Sequence, residues 1–207
     1  MARPRGNIDE RIVRAARVLF LRHGVDGASL RNIARRARTS IGMVYYYFPT
    51  KDDLFLGVIE QVYGKLFADL SSVLGSASTT EGRLRALYAR IAVASEDELD
   101  VIRLIVREAL VSSDRRTRIL ERFSRGHMPL LLEALAEGVA RGEVTAHPLP
   151  ALMMVTIAVG IGPQVVRRLM GEREPFASLP QGEELAQSLA DLVFEGLRPR
   201  PQKAAKT

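Results

Sequence analysis

The chain contains no cysteine, no tryptophan and only three histidines, His23, His127 and His147. Without cysteine there is no disulfide, no thiolate nucleophile and no thiolate-based zinc site, and a reducing compartment does the protein no harm. The histidines lie too far apart to form a metal-ligand pair at i, i+3 or i+4. No G-x-S-x-G elbow and no P-loop occurs, and Gly160-Ile161-Gly162 lacks both the third glycine and the preceding strand of a dinucleotide fingerprint. No catalytic residue, metal or cofactor is therefore assigned, and an enzyme is not expected. The first residues, MARPRGNIDER, reach charge before any apolar run, so no signal peptide is expected and a cytoplasmic location is.

What the sequence does have is a globular balance: 207 residues, 47% hydrophobic and 26% charged, enough for one ordinary domain or two small ones. Charge is unevenly placed. Residues 1–55 carry eleven basic side chains against five acidic ones, whereas the remainder carries nineteen of each, so the formal net charge of +6 resides in the first quarter. A positive field confined to one end points to a polyanion-binding module on a neutral body, with a merely solvated basic surface as the alternative.

Hydrophobic spacing predicts an all-α chain. Ile8, Ile12, Ala15, Ala16, Leu19 and Phe20 form one stripe of an amphipathic helix that Asn7 and Glu10 cap and His23-Gly24 ends. A second short helix follows Ser29, with Leu30, Ile33, Ala34 and Ala37 inward. Ser40 caps a third, Ile41 to Tyr47, which Pro49 stops. Thr50 and Asp53 form a capping box for a long helix striped by Leu54, Val58, Val62, Leu66 and Leu70. Gly57 and Gly64 each cost it ~1 kcal/mol relative to alanine, so packing must sustain it. Further helices are expected near 81–95, 97–112, 115–141 with a bend at Pro129, 150–170 and 182–197. The expected organisation is a head at 1–50, a connecting helix at 51–74, a helical body at 75–197 and a basic tail at 198–207.

From Val144 to Val166 no Asp, Glu, Lys or Arg appears, close to the roughly 20 apolar residues that span a bilayer. Pro148, Pro150, Pro163, Gly160 and Gly162 interrupt that stretch, so it reads instead as a helix buried on several sides, with a subunit interface as one way to bury it.

Two short helices joined by a tight turn after a longer supporting helix make a helix-turn-helix, whose later helix enters the DNA major groove. Ser40, Ile41, Gly42, Met43, Val44, Tyr45, Tyr46 and Tyr47 stand where that reading helix lies. A tyrosine offers a hydroxyl to a phosphate or base edge and a ring to a thymine methyl, and Gly42 leaves room for close approach. Arg31, Arg35 and Arg36 on the preceding helix and Lys51 beyond Pro49 are placed to flank the groove as phosphate partners. Val44 and Phe48 share one face and read as core. Because successive residues are about 100° apart, at least one of the three tyrosine rings is expected to be buried. Arg11, Arg14 and Arg17 read as solvated.

The run Ser29-Leu30-Arg31-Asn32-Ile33-Ala34, followed by Ser40-Ile41-Gly42-Met43-Val44-Tyr45-Tyr46-Tyr47-Phe48-Pro49-Thr50-Lys51-Asp52-Asp53-Leu54, resembles the TetR family of tetracycline-repressor-like regulators. The specific likeness covers about residues 8–56. Arg38-Thr39 stands where the family usually has Gly-Val in the turn, and Tyr47 where it usually has histidine. The resemblance implies DNA contacts by Arg31, Ser40, Ile41, Gly42, Met43, Tyr45, Tyr46, Tyr47 and Lys51, with Tyr46 and Lys51 on phosphates and Arg3 and Arg5 as a basic arm.

It further implies a homodimeric repressor on a palindromic double-stranded DNA operator, released by a small-molecule effector and independent of any membrane. Its last two helices would pair with those of a second copy. The sequence offers Leu185, Ala186, Leu189, Leu192, Val193 and Leu197 as one stripe and Ala158 with Gly162 as a small-residue face, with packing inside one subunit as the alternative. The implied pocket in a ligand-binding and dimerisation domain takes Tyr88, Arg103, Arg107, Phe123, His127, Met153 and Thr156 as candidate lining residues. A membrane-tethered or purely architectural basic protein is the remaining reading.

Overall fold

The computed structural model describes residues 8–171 and 173–197. The Arg3 and Arg5 arm and the tail from residue 198 lie outside the described residues, as does the side chain of Leu197. Ten α-helices and a 3-10 turn at Phe176–Ser178 make up the fold, with no strand among the described residues. In chain order they are α1 (Ile8–Gly27), α2 (Leu30–Arg36), α3 (Ile41–Tyr47), α4 (Lys51–Gly75), α5 (Thr80–Ala92), α6 (Glu96–Val111), α7 (Ser113–Ser124), α8 (His127–Ala140), α9 (Leu149–Met170) and α10 (Gly182–Leu197). This is the all-α class that the hydrophobic spacing predicts.

The chain forms two compact units that do not follow a division at residues 50 and 75. The first combines the chain up to Leu66 with Ser95–Phe123, and the second combines Phe67–Ala94 with the residues from Ser124 onward. In the first unit Ile12, Ala15, Ala16 and Phe20 of α1 are all buried, with Ile33, Ala34, Val44, Leu54, Phe55, Val58, Val101, Leu104 and Ile119. Gly24, at φ 76 and ψ 167, breaks α1 before its end and strips backbone groups of their helical partners. Helix α6, opened by a Ser95–Glu98 capping box, supplies the replacements. Arg107 donates to the carbonyls of Phe20 and Leu21, the latter at 3.2 Å, and Glu108 Oε1 accepts from the Val25 N–H at 3.2 Å.

In the second unit α5 packs against α8, α9 and α10. Leu84, Tyr88, Leu131, Ala134, Leu135, Leu152, Ala186, Ala190 and Phe194 fill the core between them. Helix α5 starts against α8 so closely that a Cβ on Gly138 would stand 2.4 Å from Thr80 Oγ1, which only glycine permits. The Thr80 N–H donates to Glu143 Oε2 at 2.6 Å and holds that carboxyl below its usual range.

Two expectations about the fold need correction. The single bent helix over 115–141 is two helices, because Gly126 adopts the non-helical φ −119, ψ −125 and Pro129 falls in the first turn of α8, where its missing N–H costs no helical bond. Leu185 and Val193 are 4% and 8% exposed within the single chain, where α10 packs on α5, so they belong to its own core and offer no face to a second copy. Helix α9 is covered only in part by its own chain, with Met154, Val155, Val165 and Val166 exposed, so the burial on several sides expected of it is not completed within one chain.

Candidate nucleic-acid interface

The interface is built from caps and one turn. Ser29 Oγ accepts from the Asn32 N–H at 3.4 Å to start α2, and Ser40 Oγ accepts from the Met43 N–H at 3.2 Å to start α3. Ser40, expected against DNA, is thus first the cap that starts α3. The turn between them passes through Arg38 at φ 53. On the inward side of α3, Val44 is fully buried and Phe48 packs over α4, where a Cβ on Gly57 would lie 2.7 Å from the Phe48 ring.

The outward side carries all three tyrosines. Tyr45, Tyr46 and Tyr47 are 51%, 76% and 39% exposed, and Ile41 is exposed beside them. The expectation that one ring is buried is therefore wrong. Val44 and Phe48, four residues apart, take the inward direction within about 40° of each other, and the tyrosines between them share the remaining arc. Tyr46 and Tyr47 meet edge to face, 5.2 Å between centroids at 87°. Gly42 is exposed and Met43 half-buried, and on α2 Arg31, Arg35 and Arg36 all reach solvent, Arg35 donating to Asn32 Oδ1 at 2.9 Å. Arg11 and Arg14 are exposed, whereas Arg17, expected to be solvated, pairs with Asp97 at 2.8 Å.

Behind this surface, α4 opens with the expected reciprocal box: Asp53 Oδ2 accepts from the Thr50 N–H at 3.0 Å, and Thr50 Oγ1 from the Asp53 N–H at 3.0 Å. The Thr50 hydrogen bond holds the Asp53 carboxyl below its ordinary value. Lys51 donates to the Asp26 carbonyl at 2.9 Å and so secures the end of α1 in the free protein.

A buried guanidinium ties the same helices together. Arg115 of α7, 7% exposed, donates to Glu108 Oε2 at 2.7 Å and to Asp52 Oδ1 at 2.9 Å, and pairs with Asp26. Its own pKa is raised, by the Asp26 bond above all, and it holds the Asp26 carboxyl below its usual value. Arg118 to Asp53 at 3.2 Å and Arg122 to Glu60 add exposed pairs along α4. This scaffold sets an exposed aromatic tip and a row of cations on one short segment, which suits a nucleic-acid surface.

Residues 12–58 match the family described as bacterial regulatory proteins, tetR family. Across 168 residues the chain is 31% identical to the HTH-type transcriptional repressor SCO4008 of Streptomyces coelicolor, a match covering 78% of this chain and 82% of that one. The chain belongs to the tetR family. As a TetR-family protein it is a DNA-binding regulator of transcription and not an enzyme. Its fold is that of FadR from Bacillus subtilis, solved in complex with stearoyl-CoA, at TM-score 0.74 and 18% identity over 91% of this chain and 99% of that one. The fatty acid degradation regulator FadR of Bacillus halodurans shares it at TM-score 0.72 and 22% identity, over 96% and 100% of the two chains.

The TetR-family pocket candidates divide between the units. Tyr88, Thr156, Met153 and His127 fall in the second. Tyr88 is buried, and desolvation pushes its hydroxyl up to about 12; Thr156 stands near it without completing a hydrogen bond. Met153 and His127 are half-buried. Arg103, Arg107 and Phe123 fall in the first. Arg103 and Arg107 edge a recess of ≈ 230 Å³ with Leu21 and Leu104, although Arg107 is already committed to the α1 carbonyls. Phe123 stacks on Tyr63 at 5.2 Å. Glu108 and Arg115 carry no periodicity or motif that marks them, so sequence reasoning passes over them.

Proposed function

We propose that this regulator is a cytoplasmic homodimeric repressor that binds a palindromic operator through α3 and is released by a small-molecule effector. The observation that carries the reading is the fully outward tyrosine tip, Tyr45 to Tyr47, on a helix whose inner face is anchored by Val44 and Phe48. Ser40, Ile41, Gly42, Met43 and the tyrosines read the groove, while Arg31 and Lys51 hold phosphates. One short reading helix binds weakly, and a second copy one duplex turn away multiplies it.

The second copy docks on α9. Met154, Val155, Ala158, Val165 and Val166 recur at helical spacing on its exposed side, with Gly162 half-buried among them and Leu192 of α10 68% exposed. Helices in close contact through small residues and an uncovered apolar stripe fit a symmetric bundle. Leu189 of α10 is half-buried.

The effector site lies in the second unit around Tyr88 and Thr156, where a buried hydroxyl lacks a partner that a ligand would supply. The B. subtilis FadR structure holds stearoyl-CoA, which makes an acyl-CoA the first compound class to try. An effector weakens operator binding only by its differential affinity for two dimer states, and a tenfold effect needs about 1.4 kcal/mol. Selection of bound duplexes from a random pool tests the reading. A palindrome with half-sites one turn apart supports it; a pool without sequence preference contradicts it.

A further inference from the structure

The turn between α2 and α3 holds one side chain in a conformation it disfavours. Arg38, at φ 53, is the one non-glycine residue with positive φ among the described residues, in the left-handed region where Cβ crowds the carbonyl. The turn demands that geometry: the Thr39 N–H reaches back to the Ala34 carbonyl at 3.0 Å and the Arg38 N–H to Arg35 at 3.1 Å, closing α2. Glycine would satisfy both bonds without a Cβ to accommodate.

The arginine side chain offers the free protein nothing in return. Arg38 is exposed, and no hydrogen bond or ion pair engages its guanidinium among the described residues. Elsewhere in the same unit Arg17, Arg107, Arg115, Arg118 and Arg122 are all paired. A strained backbone that no internal contact rewards points to an external one.

We propose that Arg38 is a phosphate anchor for operator DNA, an assignment that rests on α3 being the reading helix. In a helix-turn-helix the earlier helix crosses the DNA backbone and the later one lies in the groove. The residue joining them therefore stands at the groove rim, beside phosphates rather than base edges. A guanidinium there presents a planar fork of donors that matches a phosphate's oxygens. Exposed Arg31 and Arg36 extend the same cationic rim along α2.

The test sets stability against binding. Arg38→Gly and Arg38→Lys are compared with the parent protein by thermal melting, and by affinity for a selected duplex across a range of salt. Arg38→Gly should melt about 2–4 °C higher, because the strain is gone. It should also bind on the order of tenfold more weakly at 0.1 M salt, equally across duplex sequences. Its log–log salt slope should shrink by about 0.9 per phosphate lost, about 1.8 for two copies. Arg38→Lys keeps both cation and strain, so it should retain most of the slope and melt like the parent. A more stable Arg38→Gly protein with unchanged affinity and slope would overturn the anchor while leaving α3 as the reader. Relaxed preference at one base pair without loss of slope would overturn it in favour of a base contact. Failure of the parent to bind any duplex would overturn the α3 reading, and the anchor with it.

Discussion

Glu108 and Arg115 face each other across the junction of α6 and α7, 2.7 Å apart and with side chains only 3% and 7% exposed. The pair closes a network that includes Asp52 at the start of α4 and Asp26 near the end of α1. Removing one partner of a buried pair strands the other charge away from water. Arg115→Met is therefore expected to lower unfolding stability by about 3–5 kcal/mol. Arg118→Met, whose pair with Asp53 is 43% and 38% exposed, should cost less than about 1 kcal/mol. Urea denaturation of both variants checks this, and equal losses would show that burial does not set the difference.

Two carboxylates at or beside that network fix an acid response. The Asp26 carboxyl is held below the usual aspartate range in the folded protein because Arg115 donates to it, and the Asp53 carboxyl because Thr50 does. A folded-state pKa below the unfolded one stabilises the fold above the unfolded value, and that contribution is lost as pH falls through the folded value. Stability should hold above about pH 4 and decline below it. Asp26→Asn should make that acid decline shallower while leaving the dependence above about pH 6 unaltered, as followed by denaturation at stepped pH.

Tyr46 and Lys51 separate contact from scaffold. With Tyr46 76% exposed, Tyr46→Ala should change stability by no more than about 0.5 kcal/mol yet weaken operator binding. Lys51→Ala removes the bond to the Asp26 carbonyl as well as a cation. It should cost about 0.5–1.5 kcal/mol of stability and reduce the salt slope. Unchanged affinity and slope in the double variant would remove both side chains from the interface.

Two glycines of α4 should respond oppositely to alanine. Nothing lies within 4 Å of a Cβ on Gly64, so Gly64→Ala gains helix propensity of about 0.5–1 kcal/mol. A Cβ on Gly57 meets the Phe48 ring at 2.7 Å, so Gly57→Ala loses that gain and ends below the parent by up to about 2 kcal/mol. Because Phe48 caps α3, Gly57→Ala should also bind operator less well. Melting curves and operator titrations read both effects.

Local signals made the head legible in sequence. Ser40 and Pro49 bracket α3 as observed, Thr50 and Asp53 form the expected box, and the Ile12, Ala16, Phe20 stripe is buried. What lay beyond reach depends on partners distant in the chain. Val25 and Glu108 meet across 83 positions, and no spacing rule links a glycine-broken helix to the carboxylate that repairs it. Leu185 and Val193 show the converse limit: an apolar stripe says that a face is covered, not whether its own chain or another covers it. The break at Gly126 carries a local signal, since a glycine followed three residues later by Pro129 favours two helices over one bent one.

The five tyrosines test the central claim directly. Tyr45, Tyr46 and Tyr47 are exposed on α3, whereas Tyr63 and Tyr88 are 4% and 2% exposed in the two cores. Ring signals of tyrosine-labelled protein, followed by NMR during titration with a selected duplex, should shift for the three tip residues and stay in place for the buried two. A bound complex in which the tip signals are unmoved would contradict the assignment of α3 as the surface that reads DNA.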